Sequence, residues 1–196
     1  MNNGLDMDTD ITAQCGCIKA AEFTFVGRYI NRMTRAEADH IRSQGLYIVS
    51  IYETVPTRYG YFTEAQGTYD AQRATECAHS LGQPLHTPIY FAVDYNASAN
   101  DAAGNISNYF SAICKVFTGG VQSDFGYYVG GYGNGAVLGW LGDHNLIQYA
   151  YLAAATDWYG SEGFEPWNLK QSLGPAVCGI NCDHVVSNGN GGGWIA

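Results

Sequence analysis

The sequence predicts an α/β chain folded as a (β/α)8 TIM-like barrel, abbreviated near its last helices. Three observations carry that prediction. Apolar runs rich in Val, Ile, Tyr and Phe alternate with amphipathic helical patterns, the order expected of a parallel sheet wrapped by helices. Eight such runs are present, and most close on a polar side chain, as strands that converge on one functional rim do. The 196 residues, 46% hydrophobic, suit one core and a single domain over 1–196, with 187–196 as a Gly-rich tail.

In chain order the predicted strands are Asn3 to Met7, Phe23 to Ile30, Leu46 to Glu53, Pro88 to Tyr95, Gly126 to Gly133, Gln148 to Ala155, Trp167 to Leu173 and Val177 to Val186. The first is short and rests on Leu5 and Met7 alone. Thr34 with Glu37, and Thr63 with Gln66, have the spacing of capping boxes ahead of Ala-rich amphipathic runs, so helices follow the second and third strands. Gly45 and Gly82 stand where left-handed C-caps would end them. Further helices are expected over Asp101 to Phe117 and Gly135 to Leu146, whereas the last two strands lie too close for a helix between them. The tail is expected to be a loop, with Trp194 docking back onto the body. The rival architecture is an open doubly wound sheet; no G-x-G-x-x-G turn follows the first strand, which counts against its nucleotide-binding form.

Composition excludes several functions. Eighteen acidic and nine basic residues give a net charge of −9, which repels nucleic acid and anionic lipid. Charged residues make up 14% of the chain, and fifteen Tyr and four Trp bring the aromatic share to the same value. Aromatic faces stack on pyranose rings, so the balance suits a neutral, polar, ring-shaped ligand, although Tyr can equally fill a barrel and its rim. No long apolar stretch reaches membrane-spanning length and the first ten residues are polar, so neither a spanning helix nor a secretory signal is expected. Action outside the cytoplasm, in an extracellular, periplasmic or cell-wall setting, would then need a lost leader, a longer parent chain or leaderless export. A monomer is expected.

The spacings of Cys15, Cys17, Cys178 and Cys182 fit zinc poorly, and Cys77 and Cys114 fall in helices as small buried hydrophobes. No metal or other cofactor is implied. If the first and last strands are neighbours, a disulfide from the Cys15 and Cys17 pair to the Cys178 region comes within reach, and would mark an oxidising compartment.

The candidate site emerges from the strand ends. Asp6 closes the first strand, Arg28 and Tyr29 the second, Glu53 the third, Asp94 and Asn96 the fourth, Tyr132 the fifth, Gln171 the seventh and Asp183 the eighth. Strand alternation points Asp94 and Asn96 to the lumen and Phe91 and Val93 to the helices. Glu53, Asp94 and Asp183 follow apolar runs, so burial and mutual repulsion would raise one carboxyl pKa while Arg28 helps keep another ionised. A proton donor beside an anionic partner is what glycosidic cleavage requires. Nucleophile chemistry of the Ser–His kind finds no G-x-S-x-G elbow, and zinc hydrolysis finds no H-E-x-x-H.

The segments FVGRYI (Phe25 to Ile30), IVSIYE (Ile48 to Glu53), PIYFAVDYN (Pro88 to Asn96), YVGGYG (Tyr128 to Gly133), LKQS (Leu169 to Ser172) and GINCDHV (Gly179 to Val185) resemble the bacterial glycoside-hydrolase-like family known as domain of unknown function 1906. The resemblance covers Asn3 to Val186. It implies a TIM-like barrel similar to the family 25 lysozymes, acting on bacterial cell-wall glycan. Asp6, Glu53, Asp94 and Asp183 would line its cleft, with Arg28, Tyr132 and Gln171 contacting substrate; Tyr29 and Asn96 join the candidate substrate contacts from their places at strand ends. One departure stands out. Family 25 lysozymes carry a D-x-E pattern after the fourth strand, and here the stretch reads Asp94, Tyr95, Asn96. Glu53 or Asp94 would have to donate the proton instead. The alternative function is a catalytically silent module that binds glycan or targets the cell wall.

Overall fold

The computed structural model describes residues 2–117 and 126–195. Eight strands close into a barrel in sequential order: β1 (Asn2–Met7), β2 (Phe25–Tyr29), β3 (Tyr47–Tyr52), β4 (Pro88–Ala92), β5 (Tyr128–Gly133), β6 (Tyr149–Leu152), β7 (Leu169–Ser172) and β8 (Asp183–Ser187). β1 through β7 run parallel, and β8 runs antiparallel to both of its neighbours, β7 and β1. The chain between β7 and β8 explains the reversal. A parallel crossover needs a dozen or more residues, usually a helix, and residues 173–182 do not provide it.

The helices are fewer than in a full (β/α)8 barrel: α1 (Cys15–Ala20), α2 (Arg35–Ser43), α3 (Glu64–Leu81), α4 (Ala99–Asp101), α5 (Ser107–Phe117) and α6 (Gly135–Asp143). No helix joins β6 to β7 or β7 to β8 among the described residues, so the barrel is abbreviated where the sequence indicated. α1 was not foreseen, and the helix expected over Asp101 to Phe117 is split by a π-helical turn over Ala102–Ile106. Thr34 and Thr63 do cap α2 and α3 through the amides of Glu37 and Gln66. The boxes do not close reciprocally, because Glu37 turns inward to Arg28 and Gln66 to Asp70. The reciprocal box belongs to Ser98 and Asp101. Gly82 ends α3 in the left-handed region, as its position after the amphipathic run required.

Strand alternation creates two apolar layers. Residues such as Leu5, Val26, Ile48, Ile89 and Phe91 face the helices, while Phe25, Val49, Ile51, Tyr90, Tyr151, Leu169 and Val185 fill the lumen. Tyr90 fits there because Gly130 faces it from β5; a Cβ on Gly130 would lie 2.6 Å from Tyr90 Cδ1. Below this plug the tail crosses the barrel's lower mouth. Tyr90 donates its hydroxyl hydrogen to Gly191 O, and Trp194 docks with 2% exposure, its indole N–H bonded to Ser50 Oγ. A disulfide joins Cys17 of α1 to Cys178, in the connection that leads into β8. The adjacency of first and last strands brings the pair together. Among the described residues no helix is long and apolar enough to cross a membrane.

Candidate active site

Above the apolar plug the lumen becomes polar. Asp6, Tyr29 and Glu53 follow the inward parity of β1, β2 and β3 and open into a cleft of about 400 Å³ at the rim. Asp8, Arg32 and Asp183 complete its charged wall, and Asn181 and Cys182 bring in the connection held by the disulfide. Asp183 reaches this rim by an unexpected route. It is the first residue of β8 rather than the last, and lies beside Asp6 because β8 is reversed.

Gln171 organises the two acids. Its Nε2 donates to Asp183 Oδ2 at 2.9 Å and to Asp6 Oδ2 at 3.2 Å. Its Oε1 accepts from the Tyr132 hydroxyl at 2.9 Å and from the Ala154 amide at 3.2 Å, which fixes the amide's orientation. Tyr151 adds a hydroxyl donor to Asp6 Oδ2 at 2.8 Å. Asp6 Oδ1 is buried without a hydrogen-bond partner. Burial raises the Asp6 pKa to about 7 against the pull of Tyr151, and the charges of Asp183 and Glu53 push it further in the same direction.

Glu53 is also raised, first by burial and then by the negative charge of Asp94, while Arg32 opposes the shift. The guanidinium stands 3.9 Å from the Glu53 carboxylate and 3.3 Å from that of Asp8, and lies 4.8 Å above the Tyr29 ring. Asp94 is raised by burial. Asp183 is raised by burial and lowered by the neighbouring His184. The loop after Glu53 is tied from below: Thr54 Oγ1 is 2.5 Å from the Tyr61 hydroxyl, which donates in turn to the buried Asp70, where Tyr109 also donates.

Two residues expected to contact substrate have other duties. Arg28 faces the helices, not the lumen; it is 1% exposed, its Nε bonds Glu37 at 2.9 Å and its Nη1 bonds Met7 O at 2.6 Å. Inward parity on β2 belongs to Phe25, Gly27 and Tyr29, so one residue of offset moves Arg28 to the other side of the wall. Asn96 lies exposed at the rim, and its Oδ1 accepts the Tyr159 amide at 2.7 Å, which ties down the connection after β6. Tyr132 stands behind Gln171, and Tyr29 lines the cleft. Tyr151, Asp8 and Arg32 were missed. The Tyr149-Ala150-Tyr151-Leu152 alternation, with its aromatic parity inward, was the signal available for Tyr151.

A closed barrel whose strand ends gather carboxylates over a polar cleft has the form of a glycoside hydrolase-like domain. The chain belongs to the Rv2525c-like, glycoside hydrolase-like domain family, whose profile matches residues 16–180. Among solved structures it is similar to the Tat-secreted protein Rv2525c of Mycobacterium tuberculosis, in complex with HEPES, with a TM-score of 0.80, 24% identity and 98% of each chain covered. The modular autolysin LytC of Streptococcus pneumoniae, in complex with a synthetic peptidoglycan ligand, aligns with a TM-score of 0.58 and 16% identity over 94% of this chain and 46% of that one. At these identities the likeness is one of fold. The uncharacterized protein YbfG of Bacillus subtilis is 30% identical over 177 residues, 81% of this chain and 24% of its own length. The uncharacterized protein FadG of the same organism is 33% identical over 130 residues, 61% of this chain and 23% of its own. The chain thus spans about a quarter of the curated relatives it matches.

Proposed function

We propose that this domain hydrolyses bacterial cell-wall glycan in the rim cleft, with Glu53 as proton donor and Asp94 as its anionic partner. The observation that supports the reading is a set of acids at one rim whose pKa values are raised, Glu53 by burial and then by the charge of Asp94, and Asp6 by burial and then by Asp183 and Glu53; Asp6, Glu53 and Asp183 line the cleft itself, and Asp94 does not. A half-buried Glu whose surroundings raise its pKa holds its proton more readily, and can pass it to a glycosidic oxygen as the C–O bond breaks. The Asp94 carboxylate then faces the positive charge that develops at the anomeric carbon, while a water adds to that carbon, forming the new C–O bond and giving up a proton to a carboxylate of the pair. Gln171 holds Asp183, and the readily protonated Asp6 beside it, in the same cleft. The disulfide supports action in an oxidising compartment, outside the cytoplasm.

The test is release of new reducing ends from purified peptidoglycan. Glu53→Gln and Asp94→Asn should each lower turnover by about 100-fold to 10,000-fold, the usual worth of a positioned acid or base. Glycan that is bound but never cut would refute hydrolysis. That outcome belongs to the second reading, a silent glycan-binding module, which Asn96 favours: the amide stands where family 25 lysozymes have an acid, and its oxygen is already taken by Tyr159.

A further inference from the structure

The barrel has a second opening at its lower mouth, and the Gly-rich tail turns it into a cavity of about 350 Å³. The tail is fixed at both ends. Asn188 bonds its amide to Asn168 O at 3.1 Å and its side chain to Trp167 O at 2.8 Å, while Trp194 exchanges both backbone hydrogen bonds with Ile48. Between these anchors glycine is required. A Cβ on Gly191 would lie 2.6 Å from Leu169 Cδ2, and Gly192, at a φ of +69°, would set one 2.1 Å from Pro88 Cγ. The plug that contains Tyr90 and Tyr151 separates this cavity from the rim cleft, with which it shares no lining residue among the described residues.

Among the described residues no charged side chain lines the cavity. The buried Phe25, Val49 and Leu169 give it an apolar side, and Tyr47 stands at its edge with 46% of its surface exposed. Asn2, Thr24, Ser187 and Asn190 supply neutral polar groups beside the peptides of the tail. Ser187 is 3% exposed; its Oγ accepts the Gly189 amide at 3.1 Å, and among the described residues nothing accepts its hydroxyl hydrogen. The amides of Gly191, Gly192 and Gly193 also have no partner among them. A buried hydroxyl hydrogen is costly to leave unpaired, so the cavity offers donors that a ligand can satisfy. An ion entering it would lose water and meet no opposite charge. A concave apolar surface with a few neutral polar groups suits a small uncharged molecule, and a pyranose fits both parts: its C–H face lies on the apolar side and the Tyr47 ring, and its hydroxyls reach the donors and amides.

We propose that the lower mouth is a second ligand site, which takes one uncharged sugar ring beneath the tail. It stands apart from the rim cleft and from any reaction there. Intact, disulfide-bonded, nitrogen-15-labelled protein would be titrated at about pH 6 with N-acetylglucosamine, and separately with glucosamine and glucuronic acid, which are charged at that pH, while backbone amide NMR signals are followed. N-acetylglucosamine should shift the amides of Gly189, Gly191, Gly192 and Gly193 saturably, with a Kd of about 1–10 mM, as expected of a single ring. The charged sugars should bind there at least about tenfold more weakly. Tyr47→Ala keeps the Cβ that packs near Gly193 and removes the ring, and should weaken binding about threefold or more. Asn190→Trp, at an exposed position of the tail, should fill the cavity and abolish binding. Shifts confined to Asp6, Glu53, Asp183 and their neighbours would overturn the second site and leave the reading of the rim standing. Tail amides that do not move, charged sugars that bind there equally well, or tail shifts that persist unchanged in Asn190→Trp would each overturn it.

Discussion

Asp6→Asn should have opposite consequences from those usually expected of a buried acid. Asp6 has its pKa raised from 3.8 to about 7, so folding favours the protonated form. That contribution is fully present below the unfolded value and is lost as pH climbs through the folded value. At about 1.36 kcal/mol per pKa unit, the ionised carboxylate costs about 4 kcal/mol by pH 8. Asn keeps an oxygen for Tyr151 and Gln171 and removes the charge. At pH 4 the variant should be the less stable by about 1 kcal/mol, because its amide has two buried N–H donors to place where the protonated acid has one O–H. At pH 8 it should be the more stable by about 3 kcal/mol, the rest being offset by imperfect pairing of the new amide. Urea unfolding at pH 4, 5.5, 7 and 8, with equal m-values for the two proteins, measures the difference. A difference that stays flat with pH, or a variant weaker at pH 8, would refute the claim that an uncompensated carboxyl is buried here.

Gln171→Ala should destabilise by about 2–3 kcal/mol, since Asp6, Asp183 and the Tyr132 hydroxyl all lose a partner in a partly buried network; urea midpoints would show it. Reduction of the Cys17–Cys178 bridge, or Cys17→Ala, releases a loop with a sequence separation of 161 and should cost up to about 5 kcal/mol in the chain-entropy treatment, read as a fall in Tm under dithiothreitol. Gly130→Ala places a methyl 2.6 Å from the Tyr90 ring inside the lumen and should cost about 1–3 kcal/mol, seen by thermal unfolding. Tyr61→Phe breaks the link from Asp70 to Thr54, and should lower stability by about 1–2 kcal/mol in the same assay.

What the sequence determined by itself is what depends on local period and composition. Apolar runs of strand length alternate with capped amphipathic helices, and the inward parity of Asp6, Tyr29, Glu53 and Asp94 follows once each strand is located. The polar ends of the strands were legible for the same reason, as was the proximity of the Cys15 and Cys17 pair to the Cys178 region, given neighbouring first and last strands; that Cys17 and Cys178 are the partners was decided by the fold. Direction, register and partner choice were beyond it. Nothing local in Val177 to Val186 says that β8 runs backwards; the shortness of the preceding connection decides that, and only closure against β1 sets Asp183 beside Asp6. Arg28 was misplaced by a single residue of parity, because a buried ion pair with Glu37 can form only after α2 has packed on β2. Burial, which moves Asp6 and Glu53 away from ordinary carboxylate behaviour, is a property of the whole barrel. A charge loses its water only when distant segments surround it, and no stretch of chain carries that information alone.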